Sequence, residues 1–208
     1  MELGTASFRG TKDVQASWRK SENSIDITIS DYLFDAPDDV LSEFSRYVCQ
    51  TAVGKKPVYG KAYTDWVRSD EFIISKRKIY LGRSRNLTCS PEGNERDLTE
   101  SLDRLLDSGL LDAKSISNSF FSWTKSPNAR KMGFCSQMMR VVGISSILDD
   151  VSVPEFVLDY VVYHESLHLA QGHRPGMSPH DRPFRIEEKK YPKYEEARQF
   201  LKKLSTKR

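Results

Sequence analysis

One stretch of this chain limits what it can fold into. Residues 152–172 run Ser-Val-Pro-Glu-Phe-Val-Leu-Asp-Tyr-Val-Val-Tyr-His-Glu-Ser-Leu-His-Leu-Ala-Gln-Gly. They read as a single long helix. Ser152 is expected to cap it with Glu155 reaching back, and Gly172 to end it. Phe156, Tyr160, Tyr163 and Leu167 recur at helical spacing, so one flank should be buried. A helix this apolar has to sit inside the fold, yet it carries His164, Glu165 and His168. Four residues are close to one helical turn, so the two imidazoles stand one above the other.

That spacing points to a metal. Two histidines in H-E-x-x-H can share one zinc ion, and the glutamate between them can reach a water at the ion. A catalytic zinc usually has three protein ligands, so a third must come from beyond the helix. The chain has four histidines, and the remaining two are His173 and His180. His180 is favoured. The loop 174–179 is long enough to fold back, and Phe184, one turn further on, can anchor the next helix. His173 is the alternative ligand. In this reading Glu165 is the general base for attack on a carbonyl. Arg174, His173 and Tyr191 are near enough in sequence to be candidates for assisting the oxyanion.

At 208 residues the chain suits one sizeable core. We expect a single domain, with residues 1–115 as an N-terminal extension and 116–208 as the motif-bearing part. Cys49, Cys89 and Cys135 are odd in number and widely spaced, which suggests reduced thiols. No apolar run approaches a membrane span and no secretory pattern opens the chain, so a cytoplasmic protein without membrane contact is expected. A net charge of +3 does not by itself imply nucleic acid. The run from Lys76 to Arg85 interleaves basic residues with Tyr80, and a phosphate-tracking groove there is a weaker alternative to a solvated basic face.

The other elements follow from periodicity and turn signals. Strands are expected at 13–19 and 25–30, the second alternating through Ile25, Ile27 and Ile29. A helix opens at Asp35-Ala-Pro37 and stops at Gly54, with Val40, Leu41, Phe44, Tyr47 and Val48 as its apolar stripe. Residues 55–96 resist assignment beyond a short helix near 63–67. A helix follows at 97–107, then strands at 120–124, 131–135 and 138–145. Helical segments run from about Asp181, with a break near Pro192. The fold class is α+β: a small sheet flanked by helices and packed on the histidine helix.

From Phe120 to Leu204 the chain is similar to the YgjP-like and SprT-like zinc metallopeptidases. The features are Phe-Ser-Trp-Thr124, Arg130-Lys-Met-Gly-Phe134, Arg140-Val-Val-Gly-Ile-Ser145, the helix through His168, His180-Asp-Arg-Pro-Phe184, and Tyr191 to Leu201. The resemblance implies a compact zincin-like core with a small twisted sheet over the active-site helix. It implies one Zn2+ held by His164, His168 and His180, with Glu165 as general base. It also implies hydrolysis of peptide bonds in a polypeptide substrate, which we expect to lie extended beside an edge strand, with 138–145 as the candidate strand. Two rivals remain: a zinc-dependent RNA hydrolase of the ribosomal-RNA maturation (YbeY) type, which shows a similar helix, and a non-catalytic module in which zinc staples the fold. Glu165 stands where the RNA-processing proteins have glycine, which favours the peptidase.

Overall fold

The computed structural model describes residues 2–174 and 177–206. The chain divides into two compact units, Met1–Arg83 and Ser84–Arg208. The division falls well before residue 115.

In the first unit, β1 (Glu2–Arg9), β2 (Ala16–Lys20) and β3 (Ser24–Ser30) form a sheet in the order β1-β3-β2. β3 pairs parallel with β1 and antiparallel with β2. Its alternation holds: Ile25, Ile27 and Ile29 are buried. Helix α1 (Asp38–Ala52) begins after Pro37, which occupies the cap position, and buries Val40, Phe44 and Val48. Gly54 then takes a φ of 76°, the left-handed turn that ends the helix. Helices α2 (Lys61–Val67) and α3 (Asp70–Arg83) complete the unit.

The basic run of the sequence lies largely in α3. Lys76 is buried, and its Nζ sits 2.5 Å from Asp35 Oδ1. Arg83 makes a two-pronged ion pair with Asp31, at 2.7 and 2.5 Å, and also donates to the Thr11 carbonyl. Tyr80, the expected stacking platform, is buried at 2% exposure. Lys76, Tyr80 and Arg83 are thus engaged within the unit, while Lys78 and Arg85 of the same run are exposed.

The second unit contains α4 (Leu98–Asp107), β4 (Phe120–Trp123), β5 (Gly133–Ser136), β6 (Val141–Ile144), α5 (Glu155–Gln171), α6 (Arg182–Glu188) and α7 (Tyr194–Thr206). The architecture is α+β, as composition and periodicity implied. Helix α5 is nearly enveloped: Val157, Leu158, Val161, Val162 and Tyr163 are all buried, and α4, α6, α7, β5 and β6 pack around it. Residues 84–115 belong to this packing, since Leu98, Leu105 and Leu111 join the same core. Arg104 of α4 pairs with the buried Asp159 of α5 at 2.8 and 2.9 Å. The Asp149 carboxylate also accepts the backbone N–H groups of Asn94, Glu95 and Arg96.

Two expectations need correction. The capping box does not form. Pro154 is the cap residue of α5, and no side-chain hydrogen bond caps the helix. Ser152 instead has its N–H on Asp150 Oδ1 at 2.8 Å, in the turn that precedes it. The second correction concerns the sheet. Its order is β4-β6-β5, so β6, within the expected edge segment 138–145, is the central strand. The outer strand beside α5 is β5.

Candidate metal centre

The geometry of α5 places His164 and His168 one turn apart, with ring centroids 5.2 Å from each other. The third imidazole arrives from the start of α6. Asp181 caps this helix, accepting the Phe184 N–H at 3.0 Å, and is gripped by Arg174 at 2.8 Å. The cap fixes the backbone next to His180 and brings it over α5. His180 Nε2 then lies 3.1 Å from His168 Nε2 and 3.2 Å from His164 Nε2. Pro175 and Gly176, inside the loop expected to fold back, lie outside the described residues.

Among the described residues, the metal-ligand atoms grouped here belong to His164, His168 and His180, all within 4.8 Å of one another. His173 is not part of the group. Arg174 is committed to Asp181, and the Tyr191 hydroxyl donates to the Phe156 carbonyl at 2.8 Å. Both are therefore engaged elsewhere rather than poised over a reacting carbonyl.

The cluster is hard to account for by hydrogen bonding alone. His180 Nε2 touches two other ring nitrogens but offers either one proton or one lone pair. It can satisfy one contact. A cation between the rings would satisfy all three. The spacing also suits zinc, because nitrogens 2.0–2.1 Å from the ion at tetrahedral angles lie about 3.3–3.4 Å apart.

The surroundings prepare the rings for that role. Glu188, a residue the sequence reading missed, accepts from His164 Nδ1 at 2.7 Å and from the Tyr160 hydroxyl at 2.7 Å. A proton held at Nδ1 leaves the His164 Nε2 lone pair facing the cluster. His168 lacks such a partner: among the described residues its buried Nδ1 has no hydrogen bond. Its ring is fixed by stacking on Phe184, with centroids 4.5 Å apart and planes at 23°. Phe184 also meets His164 and His180 edge-on, at 5.1 and 4.8 Å. Burial, and then the neighbouring imidazoles His164 and His180, push the His168 pKa down to about 4. Burial and His164 lower that of His180 as well. Both rings are neutral at pH 7, the state a metal requires.

Glu165 is 7% exposed and lies against β5. A Cβ on Gly133 would come within 2.7 Å of Glu165 Oε1, so the missing side chain makes the room this carboxylate occupies. Burial raises its pKa to about 7, with His164 and Lys131 opposing. A carboxyl poised near neutrality suits reversible proton transfer. Gly133 was visible only within Arg130-Lys-Met-Gly-Phe134, inside the expected strand 131–135, and nothing local tied it to Glu165. Glu188 gave no signal, because its partner is 24 positions away.

Comparison with protein-family models, with curated proteins and with solved structures gives no match for this chain. Among the described residues, no helix is long and apolar enough to cross a membrane.

Proposed function

We propose that the protein is a zinc metallopeptidase, in which His164, His168 and His180 hold one Zn2+ and Glu165 is the general base. The observation that carries the reading is the convergence of three Nε2 atoms beside a buried carboxyl whose pKa lies near neutrality. Zinc, when bound, supplies a Lewis acid that polarises a carbonyl and acidifies a water. The chain's own residues do the rest. Glu165 takes the proton of the attacking water and passes it to the leaving amine. Glu188 keeps His164 in one tautomer and orientation. Phe184 packs against all three rings and holds their orientation, while His180 stays open to solvent. β5, as the outer strand next to Glu165, gives an extended polypeptide a backbone edge to pair with.

The arrangement supports a working site over a zinc staple because Glu165 is built in at a cost. Gly133 is needed to make space, and the carboxyl is desolvated. The test is Glu165→Gln, which keeps the shape and the metal but cannot accept a proton. Casein and RNA would be offered to zinc-loaded wild type and variant. The expected result is casein cleavage by wild type, lost by more than about 10²-fold in the variant, and no RNA cleavage. Equal casein cleavage by both proteins would overturn the assignment of Glu165. Cleavage of RNA alone would overturn the peptidase.

A further inference from the structure

Of the clefts that open on the histidine cluster, two carry most of the basic side chains. One, of about 330 Å³, is lined by His164 and Glu165 with Arg130, Lys131 and Arg198, over apolar surface from Met132, Val161 and Leu201. The other, of about 580 Å³, passes from His164 and His180 to Arg185, Lys189 and again Arg198. The charge is lopsided: Arg130, Lys131, Arg185, Lys189 and Arg198 face these clefts, against Glu165 and Glu188. Glu188 is already committed to His164 and Tyr160.

Arg198 lines both clefts and is held in place. It projects from α7 one turn after Tyr194, donates from Nη1 to the Tyr194 hydroxyl at 2.9 Å, and lies over that ring at 5.3 Å. Tyr194 packs edge-on against Tyr160, whose hydroxyl meets Glu188. The guanidinium is thus tied through side-chain contacts to His164. On the other side, the Lys131 ammonium lies 5.0 Å over the Phe134 ring. A planar, positioned guanidinium is suited to a carboxylate.

We propose that these clefts bind acidic polypeptide, and that Arg198 with Lys131 seats an Asp or Glu side chain beside the bond to be cut. The apolar floor takes the methylene stem and the cations take the carboxylate. That the bound chain is also cleaved rests on the peptidase reading; the binding does not. A nucleic acid fits less well, because its bases need open aromatic faces. Here Tyr194 carries Arg198 and Phe134 carries Lys131.

The test uses zinc-loaded full-length Glu165→Gln, which binds without turnover. Fluorescence anisotropy would compare three labelled probes: a decapeptide with a central Glu-Glu, its Gln-Gln counterpart, and a single-stranded oligonucleotide of equal length. The Glu peptide should bind at least about tenfold more tightly than the Gln peptide, the size of one good charge-assisted pair. Arg198→Glu should abolish the difference, and Lys131→Glu should reduce it, with zinc content and helical signal unchanged in each. Equal affinity for the two peptides, or tighter binding of the oligonucleotide, overturns the proposal. Wild-type protein then separates the two claims. A Glu peptide bound selectively but left intact keeps the acidic site and refutes the peptidase. Peptides cut with no preference for Glu over Gln refute the acidic site and leave the peptidase standing.

Discussion

Glu188→Ala is the sharpest single perturbation of this site. The side chain makes two contacts of 2.7 Å, one to His164 Nδ1 and one to the Tyr160 hydroxyl. Solvent does not easily replace the carboxylate at Tyr160, which is 4% exposed, whereas the His164 side chain is 24% exposed and is left with water as its partner. Removing the carboxylate frees the His164 tautomer, so part of the population presents a protonated Nε2 to the cluster. It also removes a negative charge that raises the basicity of the ligand ring. Losses of this kind typically weaken metal binding 10–100-fold, or about 1.4–2.8 kcal/mol. Glu188→Gln keeps an acceptor for Nδ1–H and should lose less. The assay is competition for zinc against a chromophoric chelator at pH 7, read as Kd for the three proteins. The order wild type, Gln, Ala is expected from tightest to weakest. If Glu188→Ala bound zinc within twofold of wild type, the carboxylate would not orient a ligand and the reasoning would fail.

Gly133→Ala should act on chemistry and not on the metal. The added methyl would meet Glu165 at 2.7 Å from Oε1 and 2.8 Å from Cγ, so the base must move. Zinc content should stay at the wild-type level while kcat on casein falls on the order of 10²-fold, the scale expected for a displaced catalytic group; unchanged kcat would show that Glu165 has room to spare. Asp31→Asn probes the first unit. The Arg83 guanidinium holds the Asp31 carboxyl below its ordinary 3.8, so its unfolded form binds protons more readily in acid. The ion pair therefore contributes fully above about pH 4, and the contribution disappears as pH falls through the folded-state value. At about 1 kcal/mol the variant should melt roughly 2–4 °C below wild type at pH 7, with the gap closing as pH falls through the folded-state value of Asp31. A gap that persists in acid would contradict the linkage.

The histidine helix was legible because its signals are local. The i, i+4 histidines, the apolar flank and Gly172 all lie within one element, and Gly172 takes the expected positive φ of 65°. His180 could be favoured because Phe184 marked a buried turn just after it, and Phe184 is 2% exposed beneath all three rings. What escaped was carried by distance or masked by compensation. β1 has no alternation to detect, since its residues from Gly4 to Arg9 are exposed. Helix α3 hides its period because Lys76 occupies a buried position, neutralised by Asp35, while Ile74 and Ile79 face outward. The order of the second sheet depends on pairings between short strands of similar composition. Periodicity finds such strands but cannot say which one lies in the middle.

X-ray absorption at the zinc edge, on protein purified without added metal and then loaded to one equivalent, addresses the central claim directly. Wild type should show a first shell of nitrogen and oxygen at about 2.0–2.1 Å with the multiple-scattering signature of three imidazoles, and His180→Ala should show two. A sulfur shell at about 2.3 Å, or a wild-type spectrum unchanged by His180→Ala, would contradict a zinc site built from His164, His168 and His180.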